Sequence, residues 1–268
     1  MAGGDKIETR SHILGFREEI SKASSVSRDR FLTWFDDAKD GDTACTRGAW
    51  DFSCHIAAPL TGLLKSPAEC TAIEIGSGGG RVLAAAARHF KTVIGVDIHE
   101  HNDLVRAELD ARGIKNATLL RGDGKSLPVG DGAADVVYSF IVLQHVEKFS
   151  IFGAYVHEAA RVLKPGGLAV LYFGRWQWLS RLKPGSWRIH ADRLLERIRL
   201  PAGFEETPAV VNEINLRVSL PKAKAVAKSA GFEVLKTLTS RRRVPDDALL
   251  PGAQHGLVLR WRQPRMPA

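Results

Sequence analysis

Glu74-Ile-Gly76-Ser77-Gly78-Gly79-Gly80 is the stretch whose residue types and spacing come nearest to a binding chemistry. It follows a short apolar run and opens a helical pattern, and the first N–H groups of a helix are free to meet a ligand. Glycines there let the backbone turn sharply and approach that ligand closely. Such a turn does not identify the ligand, since dinucleotide sites use the same device. Here Gly76, Gly78 and Gly80 form GxGxG, and Arg81 follows in place of the third glycine of GxGxxG. Asp97 lies 21 residues beyond Gly76, at the end of the next apolar run. A carboxylate there can accept both hydroxyls of a ribose, with Ile98 offering an apolar edge to an adenine ring. NAD would use the same geometry, so this pair does not choose a ligand either. Asp123-Gly124, in the turn after the third run, is more telling, because an acidic residue at that point can accept the exocyclic amine of adenine.

These residues need a parallel sheet to bring them together. Ala72–Ile75, Thr92–Asp97, Ala117–Arg121, Asp135–Phe140 and Leu168–Phe173 are apolar runs without alternation, as in strands buried on both faces. Gly80–His89, Asn102–Arg112 and Ile151–Leu163 have the pattern of crossover helices, so the fold class is doubly wound α/β. Ahead of this core, Ile7–Ala38 and Ala49–Leu64 are helical in pattern, with Asp40-Gly41-Asp42 as a break. Gly174–Asn215 interrupts the alternation with Trp176, Trp178, Trp187 and many basic residues, and would lie over the carboxyl edge of the sheet. A helix at Lys222–Ala230 and strands at Phe232–Leu238 and His255–Arg262 then complete the sheet. The expectation is one domain over 1–268, with a helical cap (1–70), a cofactor-binding core (71–173), an inserted acceptor lid (174–215) and a C-terminal completion (216–268). The sheet should have seven strands, mostly parallel, with an antiparallel C-terminal strand.

Composition excludes several classes. At 44% hydrophobic and 25% charged residues the chain is ordinary for a globular protein. No apolar run approaches the roughly 18–20 residues that cross a bilayer, and the charged start lacks the apolar core of a signal peptide. Three cysteines without a CxxC pair argue against a disulfide framework or a zinc site, and no metal constellation is visible. The expectation is a cytoplasmic protein without a metal. The net charge of +8 favours an anionic partner. No nucleic-acid module accompanies it, so nucleic acid is not expected.

The ordered set Ala72-Ile-Glu-Ile-Gly-Ser-Gly-Gly-Gly80, Gly95-Val-Asp97, Arg121-Gly-Asp-Gly124, Asp135-Val-Val-Tyr-Ser139 and Arg161-Val-Leu-Lys-Pro-Gly-Gly167 resembles class I S-adenosylmethionine-dependent methyltransferases. Within that group it looks most like the small-molecule branch related to ubiquinone and menaquinone biosynthesis. The resemblance implies S-adenosylmethionine as cofactor and a role for each matched position. Glu74 would sit beneath the turn and help hold the methionine ammonium. Gly76, Ser77, Gly78 and Gly80 would line the methionine and ribose. Asp97 would take the ribose hydroxyls, with Ile98 beside the base. Asp123, followed by Gly124, would take the adenine amine, and Ser139-Phe140 would flank the methionine end. A cleft bearing Glu74, Asp97 and Asp123 suits a sulfonium cation, whereas a pyrophosphate would prefer a less acidic lining.

Methyl transfer from such a donor needs the acceptor aligned within about 3–3.5 Å of the methyl and water excluded. A base is needed only where the acceptor must lose a proton, as a hydroxyl must. His145, just after the fourth strand, is the candidate for that base; otherwise it orders its loop. His55, His190 and Glu147 are weaker candidates, and His99 and His101 would edge the adenosine or face solvent. Trp50-Asp51 would either close over the cofactor or pack its helix on the sheet. The acceptor is expected to be a small molecule or a saccharide, anionic if the basic lid faces it, and methylated at oxygen. Residues 175–182 offer a peripheral membrane contact as the alternative to a lid. An NAD-dependent oxidoreductase and a non-catalytic cofactor-binding subunit are the competing functions.

Overall fold

The computed structural model describes residues 12–176, 187, 191–192, 194–195, 198, 203–241 and 251–262. Five strands, β1 (Thr71–Ile75), β2 (Thr92–Asp97), β3 (Ala117–Arg121), β4 (Ala134–Ser139) and β5 (Leu163–Arg175), run parallel in the order β3-β2-β1-β4-β5. The order reverses direction at β1, and that reversal opens a crevice beyond the carboxyl ends of the strands. After β6 (Phe204–Glu206) and β7 (Leu216–Val218) come the long strands β8 (Phe232–Arg241) and β9 (Pro251–Trp261). β9 lies antiparallel on β5, and β8 antiparallel on β9.

Among the described residues the sheet has nine strands where seven were expected. The extra two, β6 and β7, form a short antiparallel hairpin within and just after the basic insertion. β4 stops opposite Leu171, whereas β5 continues to Arg175. β7 pairs with Gly174 and Arg175 in the space that β4 leaves. At three residues each, β6 and β7 are too short to show a strand pattern in the sequence.

Both faces of the sheet are covered, as the unbroken apolar strands require. On one face, Ile73, Val137, Ala169 and Leu259 pack with α7 (Phe149–Val162) and α8 (Leu220–Ser229). On the other, Ala72, Val93, Val136 and Val170 pack with α5 (Arg81–Ala87), α6 (Asn102–Ala111) and the N-terminal helices. Those N-terminal helices are α1 (His12–Val26), α2 (Arg28–Trp34), α3 (Gly41–Phe52) and α4 (Ala58–Leu60), with a π-helical turn at Ser53–Ala57 joining the last two. Asp40-Gly41-Asp42 therefore starts a helix instead of only ending one. The Asp40 carboxylate accepts the Thr43 N–H at 2.7 Å as an N-cap, and Asp42 lies in the first turn, where negative charge is favoured.

Candidate functional site

The glycine turn is shaped by its own backbone and braced from β2. Gly76, Gly78 and Gly80 all have positive φ (79°, 49° and 83°), a region that L side chains rarely adopt. At Gly76 a Cβ would also lie 2.2 Å from Val142 Cγ2, so the loop after β4 closes directly onto the turn. The Gly76 N–H donates to the Val96 carbonyl at 2.7 Å. Asp97 Oδ2 accepts the Gly78 N–H at 2.7 Å, while its Oδ1 accepts the Ile98 N–H at 2.7 Å. His99 is buried beneath the turn and donates Nε2–H to the Gly78 carbonyl at 3.1 Å. Asp97 is thus a brace of the glycine turn as well as a wall of the cleft.

That cleft lies at the carboxyl ends of β1 to β4. Glu74, Gly76, Ser77, Gly78, Asp97 and Ile98 line it, and Gly124 does so at the end of β3. Gly80, Asp123 and Ser139 are outside the lining. Gly80 forms the N-cap position of α5. Ser139 is fully buried and donates its hydroxyl to the Ile75 carbonyl at 3.1 Å, clamping β4 to β1. Asp123 is exposed, and its Oδ1 closes a turn by accepting the Lys125 and Ser126 N–H groups at 3.0 and 2.7 Å. Burial is the largest single influence and pushes its carboxyl up, but those bonds and the Lys125 charge together hold it below the usual range.

Glu74 is almost fully buried, and its Oε2 accepts the Tyr138 hydroxyl at 3.0 Å. Burial pushes its carboxyl up to about 8, against the opposing pull of Tyr138 and of the Arg81 charge. At neutral pH the free protein therefore carries a protonated acid at the floor of its cleft. Arg81, which the sequence offered only as a missing glycine, lines the cleft beside it and pairs with the buried Asp51 of α3. Trp50, the neighbour of Asp51, is outside the lining and stands edge-on to His55. His55 ties the N-terminal helices to the sheet: Nδ1–H donates to the Asp51 carbonyl and Nε2 accepts the Arg241 N–H.

The outer wall is apolar. Ile13, Phe16 and Ile20 of α1 and Phe35 after α2 face Phe140, Ile141, Val142 and Val146 across the opening. α1 seats so closely that a Cβ on Gly124 would lie 2.4 Å from the tip of Ile13, at Cδ1, and the φ of 93° there is one that favours glycine. His145 lines the same wall. Its Nδ1 lies 2.7 Å from the Glu213 carbonyl, which can only accept, so the ring carries its proton on Nδ1. The Nε2 lone pair accepts from the Gln144 side-chain amide at 3.2 Å. Burial lowers the affinity of His145 for a second proton, against the Glu213 carbonyl, so the ring is neutral at pH 7. His145 thereby meets the tip of the β6–β7 hairpin, which Asn215 clamps through bonds to Val210 and to the His145 carbonyl. Asn212, held at φ 64°, reaches the cleft from that tip.

Sequence reasoning missed Ile13, Phe16, Arg81, Tyr155 and Asn212. Only Arg81 had a signal, as the residue following the glycines; the others reach the cleft by tertiary packing. Trp178, His190 and residues 177–182, to which the membrane contact and part of the lid were assigned, lie outside the described residues. Among the described residues no group of three or more His, Cys, Asp or Glu side chains is placed to hold a metal. No described helix is long and apolar enough to cross a membrane.

Residues 73–171 match the model of the methyltransferase domain family. An uncharacterized methyltransferase of Mycobacterium sp. (strain JLS) is 35% identical over 113 residues, 41% of either chain. The chain spans less than half the length of the curated relatives it matches. The Burkholderia thailandensis 1,6-didemethyltoxoflavin-N1-methyltransferase, solved with 1,6-didemethyltoxoflavin and S-adenosylhomocysteine bound, has a similar fold (TM-score 0.58, 16% identity, 93% of this chain and 88% of that one). So does an S-adenosylmethionine-dependent methyltransferase of Methanosarcina mazei (TM-score 0.55, 17% identity, 77% and 98%). The core of this chain, residues 73–171, thus matches a methyltransferase domain in sequence and shares the fold of those enzymes.

Proposed function

We propose that this protein is an S-adenosylmethionine-dependent methyltransferase that methylates a small-molecule or saccharide acceptor at oxygen. The observation that carries the reading is a glycine-turn cleft with a buried acid at its floor, a braced aspartate at its side and an apolar mouth. Such a lining fits a cationic donor of nucleoside type, and the positive-φ glycines shape the turn that backs it. When bound, the cofactor supplies a methyl group already activated as a sulfonium. The rest is positioning by the chain. Asp97 accepts the ribose hydroxyls. Glu74 faces the ammonium of the methionine moiety, and Arg81, held by Asp51, offers a cation to its carboxylate. The apolar wall from α1 and the loop after β4 excludes water. His145 takes the acceptor's proton at Nε2 once the acceptor hydroxyl displaces the Gln144 amide.

In this reading residues 1–70 cap a single domain, and the insertion contributes to the acceptor side through Asn212. Arg81 is the one cation in the described lining, and it is already paired. The described wall therefore favours an apolar acceptor over a highly charged one.

Calorimetric titration separates the readings. S-adenosylhomocysteine should bind and NAD should not; the reverse result overturns the proposal in favour of an oxidoreductase. Release of S-adenosylhomocysteine across a panel of phenols, saccharides, amines and lipids then identifies the acceptor. Binding without turnover on any of them would point to a non-catalytic subunit.

Glu74 gives this binding a proton signature. At pH 7 its carboxyl is protonated in the free protein, and a ligand ammonium beside it favours the ionised form. Binding of S-adenosylhomocysteine at pH 7 should release about one proton, read by repeating the titration in buffers of different ionisation enthalpy. Glu74→Gln should bind with no proton released. An unchanged release in that variant would place the titrating group elsewhere.

A further inference from the structure

Two buried glutamines stand behind His145, and the proposed function uses only one end of one of them. Gln144 precedes His145 in the loop after β4, and Gln254 lies on β9, paired with Gly174 of β5. They are 8% and 3% exposed. The Gln254 side-chain amide donates to Gln144 Oε1 at 2.9 Å, and the Gln144 amide donates to His145 Nε2 at 3.2 Å. A line of amides thus runs from the sheet to the ring. Both backbones are pinned: the Gln144 carbonyl accepts the Asn215 and Leu216 N–H groups at 2.9 and 3.0 Å, and the Gln254 N–H donates to Ser240 Oγ at 3.2 Å. What each side chain keeps is the half-turn of its terminal amide, which exchanges the oxygen with the nitrogen.

The direction of the line is set at the ring. The Glu213 carbonyl keeps the one ring proton on Nδ1, so Nε2 can only accept and Gln144 must present its NH2 there. Gln144 Oε1 then faces Gln254, which must present its own NH2. That leaves Gln254 Oε1 buried with no hydrogen-bond partner among the described residues. A buried amide oxygen without a donor is costly. The opposite arrangement would use it. With a proton on Nε2 and both amides turned over, Nε2–H donates to Gln144 Oε1, and the Gln144 NH2 donates to Gln254 Oε1.

We propose that Gln254 is a positioning residue for His145, acting through Gln144: the two amides hold Nε2 unprotonated for the acceptor, and turn over together once its proton has arrived. The proposal rests on the reading of His145 as the base. In that reaction the acceptor's O–H bond breaks, its proton bonds to Nε2, and the oxygen takes the methyl as the sulfonium leaves as a thioether. The new Nε2–H then needs an acceptor, and Gln144 supplies it until the product leaves and the proton passes to water. From outside its own loop, the charge that acts on the ring is that of Glu213 on the hairpin, while α1 meets it with the Phe16 ring at 5.7 Å. Both stay in place in the variants that test the pair. Buried Arg175 follows Gly174 on β5, so the replacement at Gln254 is kept neutral.

The test reads the ring in the full chain without ligand, by NMR titration of protein labelled at the histidine nitrogens, with His145→Ala identifying its signals. Gln254→Met keeps the side-chain length and removes both the donor and the orphan oxygen. The Gln144 amide is then free to turn over, and His145 should take its second proton about half to one pH unit higher than in the parent, the worth of one neutral hydrogen bond. In a Gln144→Met background, Gln254→Met should leave the midpoint where Gln144→Met alone puts it. An unmoved ring in the single variant overturns the proposal. So does the same shift in both backgrounds, which would mark Gln254 as structural. Should any of these variants fail to fold, the parent decides through its glutamine side-chain amides. The Gln254 signals should move at the His145 midpoint, and signals constant through it overturn the proposal. No cofactor or acceptor enters these measurements. Failure of the cofactor reading shows instead in the calorimetric titration, and failure of the base reading in the turnover of His145→Ala.

Discussion

Asp97→Ala is expected to lower S-adenosylhomocysteine affinity by two to four orders of magnitude. A hydrogen bond to a charged group contributes about 1.5–3 kcal/mol, and two ribose hydroxyls would lose their acceptor together, which converts to about 10²–10⁴ in Kd. The brace on the turn goes too, because the Gly78 and Ile98 N–H groups lose the oxygens they now share. Asp97→Asn should fall between alanine and the parent, since its single amide oxygen can serve only one of these donors well. Titration of each variant, with a thermal melt to confirm folding, reads the effect. Parent-like affinity in Asp97→Ala would mean that no ribose lies at this aspartate.

His145→Ala should cost turnover instead of binding. Removing a general base typically lowers the rate by about 10²–10⁴, while the glycine turn and Asp97, which hold the cofactor, are untouched. The pH dependence carries its own sign. The ring works only when neutral, and burial lowers its affinity for a second proton. The neutral form therefore persists to more acid pH than in a free histidine. The acid limb of kcat/KM should lie below pH 6.5, with no loss of rate from that side at neutral pH. Turnover like the parent's in His145→Ala would reduce the residue to a latch between the β4 loop and the Glu213 carbonyl. The measurement uses the acceptor found by the product-release panel, with S-adenosylhomocysteine affinity checked in parallel.

The parallel core was legible because its strands are apolar runs, most of them closed by glycine or aspartate, and because buried parallel strands leave no alternation to misread. Phe204–Glu206 and Leu216–Val218 were not legible, since pairing with the exposed end of β5 makes them strands and local pattern does not. Asp40 misled for a related reason: the same residue can end one helix and cap the next, and only the bond to Thr43 shows which. At the site, Glu74, Gly76, Ser77, Gly78, Asp97, Ile98, Gly124 and His145 line the cleft, because motif spacing places them at strand ends. Ser139 did not follow. Neighbouring positions at a strand end point to opposite faces, and its hydroxyl turned to β1 while Phe140 took the cleft. Tyr155 and Ile13 come from helices that cross above or below the crevice, where sequence carries no distance.

The protonated acid under the glycine turn also bears on stability. A bare carboxylate buried without a cation is costly, and the free protein avoids it by holding Glu74 neutral. Since the folded form keeps that proton up to about pH 8 and an unfolded glutamate releases it near 4.5, the free fold loses stability as pH rises through that interval. A ligand ammonium removes the penalty by supplying the missing counterion. The thermal shift given by S-adenosylhomocysteine should therefore grow toward alkaline pH over the range in which its own ammonium stays charged. In such a cleft the empty state is self-neutralised, and the ligand itself calls up the charge that holds it.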